Sequence, residues 1–331
     1  MFPRLLRSLL LLFPSVMMLF GISCRRAENY VNEEGLIWNT SFHVTYRGPE
    51  SLRDSVLKVL QDVGSSLSVF DKNSLISKIN ASDSLPIDRH FLQVYMASLK
   101  VNSESEGRFD PTLSPLITAW GFGPGHKATP DTARVDSLLR FVGISKTRIS
   151  NGCLVKDDPR IQFNLSAVAK GYGCDAVGEM LARNGVKDYL VEIGGEIASA
   201  GESPRGGDWK VSIDRPVFSP DYPIHESECI IRISGKGLAT SGNYRNIHKV
   251  GKGHYGHTIS PLTGRPVQTD VISATIVAPT CREADAYATA CMAMGSEASE
   301  KMVERLKLPA MLVLADSTVW INDYFRKLIT E

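Results

Sequence analysis

Residues 280–295, Thr-Cys-Arg-Glu-Ala-Asp-Ala-Tyr-Ala-Thr-Ala-Cys-Met-Ala-Met-Gly, constrain the fold most, because both ends of a helix are written into them. Thr280 followed three residues later by Glu283 is a capping box, which satisfies free N–H groups of a first turn. Gly295 supplies the stop, and the Ala- and Met-rich body favours helix. Asp285 and Thr289 lie four apart, on one face and about a turn from each other. A carboxylate and a hydroxyl in that relation are hard oxygen ligands suited to Mg²⁺. The same residues also fit an acidic first turn and a helical Thr bonded to its own backbone.

Residues 1–23 read as a signal peptide rather than as part of the fold. Arg4 and Arg7 form a positive leader, and 8–22 is a mostly apolar run, short for a membrane span. It ends Leu-Phe-Gly-Ile-Ser-Cys24, which resembles a bacterial lipoprotein cleavage site with Cys24 as the lipidated N-terminus. Ordinary cleavage nearby and an uncleaved anchor are the alternatives. The expectation is export to the periplasmic side of a bacterial membrane, with a lipid on Cys24. A tether over 24–34 and one domain over 35–331 would follow.

The 331 residues suffice for one large domain or two small ones. A net charge of +1 gives no nucleic-acid footprint. The remaining cysteines, Cys153, Cys174, Cys229, Cys281 and Cys291, show no C-x-x-C spacing and hence no zinc or redox signature. Export permits disulfides, but an odd number leaves at least one thiol free. Cys174, Cys281 and Cys291 fall on predicted helices and read as core thiols.

Taken in order, 35–46 reads as a strand entering the domain and 51–67 as a helix. A second short helix follows, and a third over 88–101 with Asp88 as its cap. Residues 107–125 are too dense in Gly, Pro and aromatics for one regular element. Trp120 and Phe122, between glycines, are costly to leave exposed and suggest a site for a flat ring; a plain surface loop is the alternative. A capped helix over 131–141 and two short strands come next. A strand-like run over 161–165 then meets helical spacing from Ala167, closed by Gly185. Such a junction presents free N–H groups to an anion, and Lys170 adds charge. It is neither a Walker A motif nor a Rossmann fingerprint. Residues 188–201 read as two strands about Gly194-Gly195; Glu192 and Glu196 are either a pair of acids or solvent-facing strand charges. Strands at 209–214 and 229–233, a strand at 271–278, a helix at 297–306 and a closing hairpin complete the pattern. His257 stands just before a Pro-Gly turn, on a loop where it can be structural or catalytic.

Seven stretches, in order, resemble the ApbE family, the FAD:protein FMN transferases. They are Ser-Val-Phe-Asp-Lys-Asn-Ser at 68–74, Phe-Asp-Pro-Thr at 109–112 with Trp-Gly-Phe-Gly at 120–123, and Asn-Leu-Ser-Ala-Val-Ala-Lys-Gly-Tyr at 164–172. Ile-Gly-Gly-Glu at 193–196, Thr-Ser-Gly-Asn-Tyr at 240–244, His257 with Pro-Leu-Thr-Gly-Arg-Pro at 261–266, and Glu-Ala-Asp-Ala at 283–286 complete the set. The resemblance implies an α+β, T-fold-related domain: a mixed, largely antiparallel sheet with packed helices and a ligand cleft between two lobes. It implies transfer of FMN from FAD to a Thr or Ser hydroxyl of an acceptor protein, with release of AMP and dependence on Mg²⁺. By resemblance, Asp285, Thr289 and the carbonyl of Ala167 hold the metal, and His257 is the general base. Trp38, Phe70, Trp120, Gly121, Phe122, Asn164, Lys170 and Ile259 would contact the dinucleotide. The implied acceptor carries an Asp-x-x-Thr/Ser-Gly-Ala-Thr/Ser pattern, on a membrane redox subunit or an FMN-carrying domain. Asn164, Asn243 and Ser260 stand where Asp is the expected family residue. The segment 270–275 approaches the acceptor pattern but reads as a core strand. A Mg²⁺-dependent FAD pyrophosphatase and a non-catalytic flavin-binding lipoprotein are the competing functions.

Overall fold

The structure, a computed structural model, describes residues 29–122, 132–215, 227–242, 247–250, 253–256 and 258–330. The chain enters through strands β1 (Tyr30–Ile37) and β2 (Thr40–Arg47), then helices α1 (Arg53–Leu67) and α2 (Leu75–Asn80). Strand β3 (Ser84–Pro86) and helices α3 (Arg89–Glu104), α4 (Ser114–Ala119) and α5 (Val135–Leu139) follow. Strands β4 (Thr147–Ser150) and β5 (Cys153–Lys156) precede the long helix α6 (Ser166–Arg183). Next come β6 (Tyr189–Ile193), β7 (Glu196–Ala200), β8 (Trp209–Asp214), β9 (Ser227–Ile233) and β10 (Lys236–Gly242). The rest is β11 (Ile247–Val250), β12 (Gly253–Gly256), β13 (Val271–Ala278), α7 (Cys281–Met294), α8 (Ser296–Leu306), β14 (Ala310–Leu314), β15 (Val319–Ile321) and α9 (Asp323–Arg326).

Among the described residues the main sheet has eight strands in the order β1-β2-β6-β7-β10-β13-β14-β15, every neighbouring pair antiparallel. Because strand side chains alternate, each central strand serves two cores. Ile197, Leu238, Val277 and Met311 face the β8–β9 hairpin and Phe325 of α9. Their neighbours Ala198, Ala239, Ala278, Ala310 and Leu312 face the helices. Small residues on that second face let α6 and α7 lie close to the sheet. Burial on both faces gives β13 its unbroken run, Val-Ile-Ser-Ala-Thr-Ile-Val-Ala, and leaves Ser273 and Thr275 buried. This agrees with reading 270–275 as core strand.

A second, three-stranded sheet, β3-β5-β4, packs with α2 and α3 through Ile79, Phe91, Tyr95, Leu154 and Phe163, continuous with the main core. The Phe-Asp-Pro-Thr stretch is structural here. Asp110 accepts from Thr112 N at 2.8 Å, Ile144 N at 2.9 Å and Asn102 Nδ2 at 3.2 Å, so it ties its own loop to helix α3 and to the turn at Ile144–Lys146. Burial still pushes its carboxyl up from the usual range.

Two sequence expectations change. The domain does not start at Gly35, and 35–46 is not one strand. Strand β1 begins at Tyr30, inside the expected tether, and pairs with β2 along its whole length. Trp38 and Asn39, at φ 49° and 61°, form the two-residue turn, the conformation a tight hairpin needs. An aromatic there carries strain, offset by packing. The Trp38 ring lies where a Cβ on Gly64 or Gly173 would stand, 2.9 and 2.7 Å from its atoms. Second, 161–165 is not a ladder strand: it makes one isolated bridge, Leu113 with Gln162.

Candidate active site

Helix α7 is held at its start by three elements. Thr280 caps it, accepting from Glu283 N, while the Thr280 hydroxyl donates to Glu283 Oε2 at 3.1 Å. Glu283 does not return to the cap backbone but takes Lys100 Nζ at 2.6 Å. Asp175 of α6 accepts from Cys281 N at 2.8 Å and Arg282 N at 3.0 Å, satisfying first-turn donors. Burial pushes the Asp175 carboxyl up to about 6, against the pull of Arg282. Glycines permit the close fit. A Cβ on Gly171 would lie 2.4 Å from Cys281 O, and one on Gly237 2.1 Å from Cys281 N.

One turn into α7, Asp285 is 3% exposed and its Oδ2 accepts from Gly171 N at 3.1 Å. Burial first, and the charge of Glu196 second, push its carboxyl well above the usual range. Thr289, four residues on, is half-buried with its hydroxyl 3.3 Å from Ser241 Oγ of β10. Lys170 of α6 donates from Nζ to Glu196 Oε1 at 2.5 Å. Ala167 stands in the first turn of the same helix, whose Ser166 N is taken by Asn164 Oδ1 at 3.0 Å. The site thus joins a strand end and two helices, with Asp285, Lys170 and Glu196 coupled by charge and Thr289 beside them.

The aromatic stretch lies apart from this cluster in the sequence and folds on its own small core. Trp120 is 7% and Ile259 3% exposed, packed with Leu116, Val135 and Val142. Trp120 Nε1 donates to Gly264 O at 2.7 Å, fastening α4 to the turn at 258–266. Trp120 therefore needs no ligand to cover it, contrary to the sequence argument. Phe122, partly buried, packs against the same core, and Gly121 takes φ 83°. Phe70 is 71% exposed on the turn between α1 and α2. Ser260 holds the 258–266 turn, its Oγ accepting from Leu262 N and Thr263 N at 3.3 Å each. His257 and Asn243 lie outside the described residues.

A model of the ApbE family matches residues 38–312. The chain belongs to the ApbE family. It is 32% identical over 322 residues to a Vibrio cholerae protein named FAD:protein FMN transferase, spanning 93% of this chain and 94% of that one. An Escherichia coli protein of the same name is 28% identical over 310 residues, spanning 90% and 87%. Among solved structures, the flavin transferase ApbE from Vibrio cholerae superposes with TM-score 0.79 at 28% identity, covering 91% of this chain and 99% of that one. The apo flavinyl transferase ApbE from Pseudomonas stutzeri gives 0.81 at 26%, covering 92% and 98%.

Within this ApbE-family framework, sequence reasoning missed Asp175, whose partners are more than a hundred residues away and leave no local signal. It named Glu196 but allowed a solvent-facing role, whereas Glu196 is 2% exposed. Glu192, the other acid of that pair, accepts from Gly195 N at 2.7 Å and lies 2.5 Å from His43 Nδ1. Lys170, read as a cation for an anionic ligand, is already ion-paired with the buried Glu196.

Proposed function

We propose that the chain transfers the FMN portion of FAD to a Thr or Ser hydroxyl of an acceptor protein, forming a phosphoester and releasing AMP, with Mg²⁺ at the pyrophosphate. The coarser statement rests on the relatives: the chain is an enzyme of the FAD:protein FMN transferase type. The observation that carries the finer reading is Asp285, a buried carboxylate on one helix face with Thr289, set against the first turns of α6.

The donor set fits a hard divalent cation. On the inner face of α7, Asp285 supplies a carboxylate and Thr289 a hydroxyl one turn further on. Mg²⁺ is bound in just that way, with one or two carboxylates and with waters and substrate phosphates completing its shell. Asp285, Thr289 and the Ala167 carbonyl would hold it, and its charge would neutralise the phosphates. The acceptor hydroxyl attacks the phosphorus of the FMN half, the phosphoanhydride bond breaks, and AMP leaves. In this reading His257 takes the hydroxyl proton; an imidazole with a pKa near 6.5 suits that task. Positioning and charge compensation supply most of the catalysis in such transfers. Phe70 is exposed for stacking on a flat ring, and Asn164 and Gly121 offer polar and backbone contacts. Trp120, Phe122 and Ile259 pack on one small core, and Trp38 packs against Gly173 of α6.

Product analysis with FAD and Mg²⁺, with and without an acceptor domain bearing Asp-x-x-Thr-Gly-Ala-Thr, tests this reading. AMP formed in step with an acceptor heavier by one FMN, less water, is the expected result. Free FMN and AMP at the same rate with and without acceptor would replace transfer by hydrolysis.

A further inference from the structure

Glu196 opens β7 from the interior. It is 2% exposed, its Oε1 takes Lys170 Nζ at 2.5 Å, and its Oε2 has no hydrogen-bond partner among the described residues. A carboxylate so placed carries a steep desolvation penalty, and an apolar residue would pack there without it. The turn before it is built to aim it inward. Gly194 and Gly195 take φ 62° and 100°, Gly195 N bonds to Glu192 Oε1 at 2.7 Å, and the Glu196 carbonyl accepts from Cys174 Sγ at 3.1 Å. Lys170 precedes Gly171, whose N–H bonds Asp285 at 3.1 Å. The ammonium therefore lies within the field of two carboxylates, Asp285 and Glu196, and is bonded to Glu196.

That choice of partner matters for Asp285. An ammonium paired with Asp285 would compete with a divalent cation for the same oxygens. With Lys170 held by Glu196, Asp285 keeps its oxygens for the cation. The three side chains then sum to one negative charge, which one divalent ion turns positive to face phosphates. We infer that Glu196 is a positioning residue: its carboxylate draws Lys170 away from Asp285 and so keeps Asp285 free to bind a divalent cation. The inference rests on the proposed metal role of Asp285.

The test is a double-mutant cycle read by metal binding, without FAD or acceptor. Mn²⁺ is titrated into the purified protein, and free ion is followed by electron paramagnetic resonance. Glu196→Gln keeps the side chain's shape, and a melting curve confirms that it folds. It is expected to weaken Mn²⁺ binding about tenfold in the native background. In the Lys170→Gln background, where no competing ammonium remains, the same change is expected to alter binding less than about twofold. A merely structural role, or a simple sum of charges, gives the same loss in both backgrounds, and that result would overturn the inference. So would native affinity in Glu196→Gln alone. Failure of the transferase reading would show separately, as an acceptor left unmodified by a protein whose Mn²⁺ cycle behaves as expected.

Discussion

At the scale of single residues, burial pushes up the carboxyls of both Asp285 and Asp175, and their partners set them apart. Asp285 is buried among like charge, with Glu196 raising its carboxyl further. Asp285→Ala is predicted to abolish Mg²⁺-dependent turnover while FAD still binds; unchanged turnover in a steady-state assay would remove Asp285 from the metal site. His257→Ala is predicted to spare FAD binding, measured by flavin fluorescence, and to slow transfer by about 10²–10⁴-fold, the range for loss of a general base. Full activity would rule it out. Asp175 makes a different prediction, about stability. Its folded carboxyl, near 6, lies above its ordinary value of 3.8, because burial outweighs Arg282 and the two amides. The folded state therefore holds the proton more tightly than the unfolded one. The contribution is fully present below the unfolded value and is lost as pH rises toward about 6. Melting temperature should fall with rising pH across that window, and Asp175→Asn should flatten the fall. A variant with the native slope would show that another group titrates there.

At the scale of elements, close approach of α6, α7 and β10 sets the site. Gly171→Ala would place a methyl 2.4 Å from the Cys281 carbonyl, forcing two helices apart. Overpacking of this kind costs roughly 1–3 kcal/mol, and urea denaturation should show it with the m-value unchanged. Native stability would mean that the helices can part without cost. Local signals made much of this legible in advance. Helix α7 shows its cap and stop in sequence, and α3 shows Asp88, which does accept from Phe91 N. The β6–β7 hairpin shows its glycines, and alternating strands show their period. What stayed hidden depends on distant partners. The β1–β2 turn carries Trp-Asn instead of a Gly-containing pair, and only Gly64 and Gly173 explain why a Trp is tolerated there. Glu196 looks like any strand acid until Lys170 is placed beside it. Trp120 looks like a ligand platform until Leu116, Val135 and Ile259 close over it.

At the scale of the whole molecule, one sheet with both faces buried carries a helix pair whose charged side chains form the candidate site. Solved ApbE structures superpose along most of the chain, so the fold is a shared one. How the enzyme is delivered is a separate proposal. We propose that Cys24 is lipidated and anchors the protein on the periplasmic side, because Arg4, Arg7 and the apolar run at 8–22 lead to a lone Cys after a small residue. Cys24→Ser should lose palmitate label and move from the membrane to the soluble fraction; a labelled or membrane-bound variant would refute the anchor. The central claim is that Asp285 and its neighbours form the metal site at which FMN is moved from FAD to protein. Its most direct test is the intact mass of an acceptor domain after incubation with FAD, Mg²⁺ and either the native protein or Asp285→Ala. The account predicts an acceptor heavier by one FMN, less water, with the native protein only, and none when Mg²⁺ is chelated. An equally modified acceptor with Asp285→Ala, or modification that survives chelation, would contradict it.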